Sequence, residues 1–210
     1  RYMDDMPAPY DIDITEIDGF DNMHNADGMI KKAFEKTAVL YGADESLFLV
    51  NGSTAGHMAA ICGVTDKGDS IIVARNCHIS VYNAIILNEL DANYVYPQYD
   101  DEYGYYKGIS LREIKDAVEK NESIGKDIKA VVITSPTYEG NVSDIKNIAA
   151  YLHEHNIPLI VDEAHGAHFK FSCEFPQTAV EQGADIVINS VHKTLPSLTQ
   201  TAVMHINYGY

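Results

Sequence analysis

The chain has 210 residues with 46% hydrophobic content, enough for one sizeable core, and this excludes an intrinsically disordered protein. Its 31 acidic against 15 basic residues give a formal net charge of -16, which argues against a binder of nucleic-acid phosphates, since such binding needs clustered Lys and Arg. No apolar run approaches the roughly 20 residues that a membrane helix needs, and three scattered cysteines without CxxC spacing read as reduced, buried thiols, so a cytoplasmic protein is expected.

Residues 1–26 read as an irregular acidic segment, and the unit that follows spans 27–210. Asp27 is placed to cap a helix in which Ile30, Phe34, Ala38 and Tyr41 recur at helical spacing until Gly42 stops it. From there strand-like and helix-like segments alternate: 46–50 then 53–64, 70–74 then 79–90, 92–97 then 110–121, 129–135 then 142–156. Strands at 158–164, 185–190 and 201–207 close the series, with a short segment at 177–183 between the first two. The Tyr-rich acidic stretch 96–108 is expected to be an ordered loop. Such alternation predicts a three-layer α/β/α fold with a mostly parallel central sheet, and continuous apolar strands agree with a sheet covered on both faces. Ligands of such sheets sit beyond the C-terminal ends of the strands.

Four loops fall at those ends. Asn51-Gly52-Ser53-Thr54-Ala55-Gly56 opens a helix with small residues, two hydroxyls and unpaired N–H groups, a seat for an anion, although it lacks the nucleotide and dinucleotide glycine patterns. Asn76-Cys77-His78-Ile79-Ser80 brings a histidine that can stack on a ligand. In "LIVDEAHGAH", Asp162 ends an apolar strand and calls for a cationic partner. His165 and His168 stand three apart, but no third ligand has matching spacing, so no metal is expected. The last loop, "NSVHKTLPSLTQ", presents Ser190, His192 and Lys193. One chemistry uses all four loops: a phosphate at Ser53, Thr54, Ser190 and His192, a cationic aromatic ring under His78, Asp162 opposite its nitrogen, and Lys193 as an imine-forming amine. That is pyridoxal 5'-phosphate.

The segments "FLVNGSTAGHMAAI", "ITSPTYEGNVSDI", "PLIVDEAHGAHF" and "NSVHKTLPSLTQTAVMH", in this order, closely resemble the Orn/Lys/Arg decarboxylase family, pyridoxal-phosphate enzymes of fold type I. The resemblance implies Lys193 as the Schiff-base lysine, Asp162 on the pyridine nitrogen, His78 stacked on the ring, and Ser53, Thr54, Ser190 and His192 around the phosphate. It further implies Ala164 on the opposite ring face and His165 near the cofactor's phenolic oxygen or the substrate carboxylate. Pro196 points to the shorter, wingless type, and the chain corresponds to the cofactor-binding large domain without the family's small C-terminal domain.

The implied reaction is decarboxylation of arginine, lysine or ornithine to agmatine, cadaverine or putrescine, in a homodimer or higher homo-oligomer. Other fold type I chemistry, an aminotransferase or an oxoamine synthase, shares "VDEAHG"-like segments, and a truncated non-catalytic cofactor-binding or dimerisation module is a further alternative. For a basic substrate side chain, Asp100-Asp101-Glu102 reads as a solvated charge run, whereas Glu139 lies nearer the cofactor loops.

Overall fold

The structure, a computed structural model, describes residues 7–14 and 17–209. Residues 1–6, 15 and 16 of the expected irregular segment lie outside the described residues; within it, Pro9–Ile12 form one helical turn, α1. Helix α2 (Met29–Tyr41) leads into strand β1 (Glu45–Leu49), and then α3 (Gly52–Val64), β2 (Ser70–Ala74), α4 (Ile79–Leu87) and β3 (Asp91–Val95) alternate. A two-strand hairpin, β4 (Tyr99–Asp100) and β5 (Tyr105–Tyr106), precedes α5 (Leu111–Ser123), β6 (Ile128–Thr134), α6 (Ile145–Glu154) and β7 (Leu159–Asp162). The chain continues through β8 (Ile186–Ser190), the single turn α7 (Val191–Thr194) and β9 (Ala202–Ile206).

Seven strands form one sheet in the order β1-β9-β8-β7-β6-β2-β3. Strands β8, β7, β6, β2 and β3 pair in parallel, while β9 is antiparallel to both neighbours, β8 and β1. Alternate residues of each strand feed two separate cores. Ile71, Val73, Val132, Ile160 and Ile188 pack with Ala60 and Ile61 of α3 and with Val81 and Ala84 of α4. Their neighbours Ile72, Val131, Ile133, Val161 and Val187 pack with Ile114 and Val118 of α5 and with Ile148 and Leu152 of α6. This is the expected three-layer arrangement, and each fully buried isoleucine contributes about 1.5–3 kcal/mol. Strands β1 and β3 depart from the continuous apolar pattern because they are the sheet edges, where Glu45 and Asp91 are exposed.

Local chemistry explains the helix ends. In α5, Glu113 N–H donates to Ser110 Oγ (3.4 Å) and Ser110 N–H to Glu113 Oε2 (2.6 Å), a reciprocal cap. Helix α2 corrects the sequence reading: Gly28, not Asp27, is its N-cap residue, and the free N–H groups of Gly28 (3.1 Å) and Ile30 (2.6 Å) donate to Asp21 Oδ2 from outside the helix. A Cβ at Gly28 would lie 3.2 Å from that oxygen, so the glycine makes room for the cap. The stop at Gly42 holds, with φ +81° and its N–H on Ala38 O. The Tyr-rich stretch carries the β4–β5 hairpin, and within the short segment 177–183 residues 179–183 form turns. Cys173 is exposed and Cys62 and Cys77 are half-buried, against the expectation of three buried thiols; Cys173 follows the surface 3-10 turn Phe169–Phe171 rather than a core strand. Among the described residues, no helix is long and apolar enough to cross a membrane.

Candidate cofactor site

The alternation that splits the two cores also aims the site. Asp162 stands two residues after Ile160, and Ser190 two after Ile188, so both project to the α3–α4 face at the C-terminal ends of β7 and β8. Ser53, in the first turn of α3, meets Ser190 there: Ser190 Oγ donates to Ser53 Oγ at 2.8 Å. The two loops approach closely at Gly52, where φ is +71° and a Cβ would come within 3.3 Å of Gln200 O. Gly56 lets α3 lie flat on the sheet, because a Cβ there would meet Leu49 Cδ1 at 2.5 Å.

Asp162 is 3% exposed. Burial alone would raise its pKa, but the charge and hydrogen bonding of His57, the Ala164 N–H and the Lys193 charge outweigh it and hold the carboxyl below the usual range. Its Oδ1 accepts from Ala164 N–H (3.1 Å) and lies 3.2 Å from His57 Nε2, an ion-pair distance without the alignment of a full hydrogen bond. Among the described residues, both of these contacts fall on Oδ1 and none on Oδ2. Lys193, exposed in α7, donates from Nζ to His165 Nε2 at 3.3 Å. Burial first, and then Lys193, push His165 below the usual histidine range, leaving a neutral ring that can accept this hydrogen. Burial likewise lowers His78. His192 donates from Nδ1 to Thr201 O (3.0 Å), which leaves Nε2 for a ligand, and Thr54 is exposed next to Ser53.

His168 does not join His165; its ring packs against Phe175 at 4.6 Å. Three other residues belong to the site though the sequence reading passed over them. His57 lies one helical turn beyond Ser53 on the same face of α3, a spacing that could have flagged it. Ser80 follows the histidine that caps α4, and its N–H donates to His78 Nδ1. Thr134 ends β6 directly opposite Asp162 in register, and its Oγ1 is buried without a hydrogen-bond partner.

These residues fit pyridoxal phosphate. A buried, ionised carboxylate whose contacts among the described residues fall on one oxygen suits a protonated ring nitrogen. The buried, unpartnered His57 Nε2, Thr134 Oγ1 and His165 Nδ1 surround or adjoin that carboxylate in sequence and register. The paired hydroxyls at the N-terminus of α3 suit a phosphate.

The sequence profile of the family described as "Orn/Lys/Arg decarboxylase, major domain" matches residues 7–210. The chain is 42% identical to the "Uncharacterized protein YaaO" of Bacillus subtilis over 98% of its own length and 43% of that protein's. It is 36% identical to an arginine decarboxylase of Bacillus cereus over 94% of this chain and 42% of the relative. Among solved structures, the constitutive lysine decarboxylase of Escherichia coli shares the fold, with a TM-score of 0.70 at 24% identity over 86% of this chain and 26% of that one. The chain thus spans less than half the length of the curated relatives it matches.

Proposed function

Because the chain belongs to the Orn/Lys/Arg decarboxylase family, we propose that it is the cofactor-binding domain of a pyridoxal-phosphate-dependent decarboxylase acting on arginine, lysine or ornithine. The observation that carries this reading is the buried Asp162, held as a carboxylate by neighbours that contact its Oδ1 among the described residues, on the sheet edge that also bears an accessible lysine amine. Bound there, pyridoxal phosphate supplies a protonated ring that draws electrons from the bond to a departing carboxylate.

The side chains divide the remaining work. Asp162 holds the positive ring nitrogen and keeps its proton in place. Ser53 and Ser190, with Thr54 and the Nε2 of His192, bind the phosphate and fix the register of the ring. His78 and Ala164 would flank the ring and exclude water. Lys193 would supply the amine that holds the cofactor's carbonyl carbon, and His165 Nε2, which accepts a hydrogen from that amine, would keep it oriented toward the site. The Lys193 amine would also be the group that delivers a proton to the substrate's α-carbon.

A cleft of about 420 Å³ beside His165 is lined by Tyr138, Glu139 and His168. Glu139 supports a basic substrate side chain by charge. The exposed Ile79, Ile86 and Leu87 of α4 support a homodimer. The test is CO2 release from carboxyl-labelled arginine, lysine and ornithine by the protein containing this chain. One of the three is expected to react, and Lys193→Ala to lower the rate by at least about a thousandfold. Release from none of them, or an unaffected variant, would refute the proposal.

A further inference from the structure

The proposed reaction leaves His57 and Ser80 without a task, yet both are buried against the groups that would hold the cofactor: His57 is 1% exposed and Ser80 0%. Ser80 Oγ lies 2.7 Å from His57 Nδ1 and 2.8 Å from His78 Nδ1. The backbone N–H of Ser80 donates to His78 Nδ1 at 3.2 Å, which fixes that nitrogen as an acceptor. A hydroxyl has one hydrogen, and it therefore goes to His78 Nδ1. Ser80 Oγ then offers only lone pairs to His57, so His57 Nδ1 must donate. At its other end, His57 Nε2 faces the ionised Asp162 Oδ1 at 3.2 Å, where a bare nitrogen lone pair would repel the carboxylate. A hydrogen on that nitrogen makes the contact an attractive ion pair, short of the alignment of a full hydrogen bond.

We propose that His57 is a positioning residue held as an imidazolium: Nε2–H clamps Asp162 Oδ1, while Nδ1–H, relayed through the Ser80 hydroxyl, sets His78 in its Nε2–H form. One chain of hydrogens, Asp162–His57–Ser80–His78, thus ties the carboxylate meant for the ring nitrogen to the histidine meant for the ring face. The titratable neighbours are Asp162 from β7 and His78 from the start of α4, with Lys193 of α7 acting on both. Clamping Oδ1 leaves Oδ2 for the ring nitrogen, a consequence that rests on the cofactor reading; the hydrogen chain itself does not.

The test separates the two. In the chain labelled with ring-15N histidine and free of cofactor, the His57 signals, assigned by their loss in His57→Leu, should show both nitrogens protonated at pH 7. Ser80→Ala should return the ring to a single proton. On adding pyridoxal phosphate, His57→Leu should raise the dissociation constant about tenfold, the scale of one lost ion pair to a buried carboxylate. Absence of cofactor binding in the unaltered chain, with two protons on His57, counts against the proposed function and for the clamp. A single proton on His57 at pH 7 overturns the clamp whatever the cofactor does.

Discussion

Asp162 and Glu163 are consecutive carboxylates on opposite faces of the sheet, and their surroundings drive them apart. Asp162 has cations and stays charged; Glu163 lies on the α2 side, where burial pushes its pKa up to about 7. Its Oε1 accepts from Ala179 N–H (2.7 Å) and its Oε2 from Asn189 Nδ2 (2.9 Å). The chain of donors runs further: Ser46 Oγ donates to His205 Nδ1 (2.7 Å), and His205 Nε2 donates to Asn189 Oδ1 (3.1 Å). Burial lowers His205 to about 4, in keeping with a neutral ring. A folded-state pKa raised from 4.5 to about 7 stabilises the fold below pH 4.5, and that stability is lost as pH rises through 7. Urea midpoints should therefore show the unaltered chain losing on the order of 3 kcal/mol between pH 5 and 8 relative to Glu163→Gln. Parallel pH curves for the two would exclude a proton on Glu163. In the sequence, "VDEAH" made Asp162 legible because a strand-end carboxylate has few structural uses, whereas Glu163 became interpretable only once the strand alternation was known, and His57 was signalled only by its helical spacing from Ser53.

At the scale of elements, the helix over Met29–Tyr41 shows how far periodicity reaches. Its buried Ala38 and Tyr41 and its Gly42 stop follow from residue types a few positions apart. Its start does not, because the capping carboxylate comes from Asp21, seven residues before Gly28 and outside any local pattern. Hydrogen bonds from Asp27, Ile30, Asn22 and Gly28 lower Asp21 to about 2 despite some opposing desolvation. Asp21→Ala should lower the melting midpoint by about 2–4 °C at neutral pH. The depressed carboxylate stabilises the fold above pH 3.8, and that gain is lost as pH falls through about 2. The gap between the two proteins should accordingly narrow as pH falls from 3.8 through about 2, and a gap undiminished at pH 2 would contradict the cap. The β4–β5 hairpin escaped notice for a related reason: Asp100 turns its carboxylate inward, taking Glu102 and Tyr103 N–H and pairing with Lys107 at 3.0 Å, so the acidic run there is not simply solvated.

Across the whole molecule, alternation of strands and helices was enough to anticipate a parallel sheet, since each crossover needs a covering helix. The order of the strands was not, because β9 enters antiparallel between β1 and β8, a pairing set by long-range register rather than by local pattern. That insertion matters to the site. It places β1, and hence the start of α3, with its C-terminal end on the same sheet edge as β7 and β8, so that Ser53 reaches Ser190 across 137 residues of chain. Lys193 shares this edge, and its role can be read by chemistry alone. The chain is incubated with pyridoxal phosphate, reduced with borohydride and digested, and the modified peptide is mapped. A single label on Lys193, absent after Lys193→Ala and weakened by Asp162→Asn, is expected. Label on another lysine, or no difference between the chain and its Lys193→Ala variant, would contradict the site.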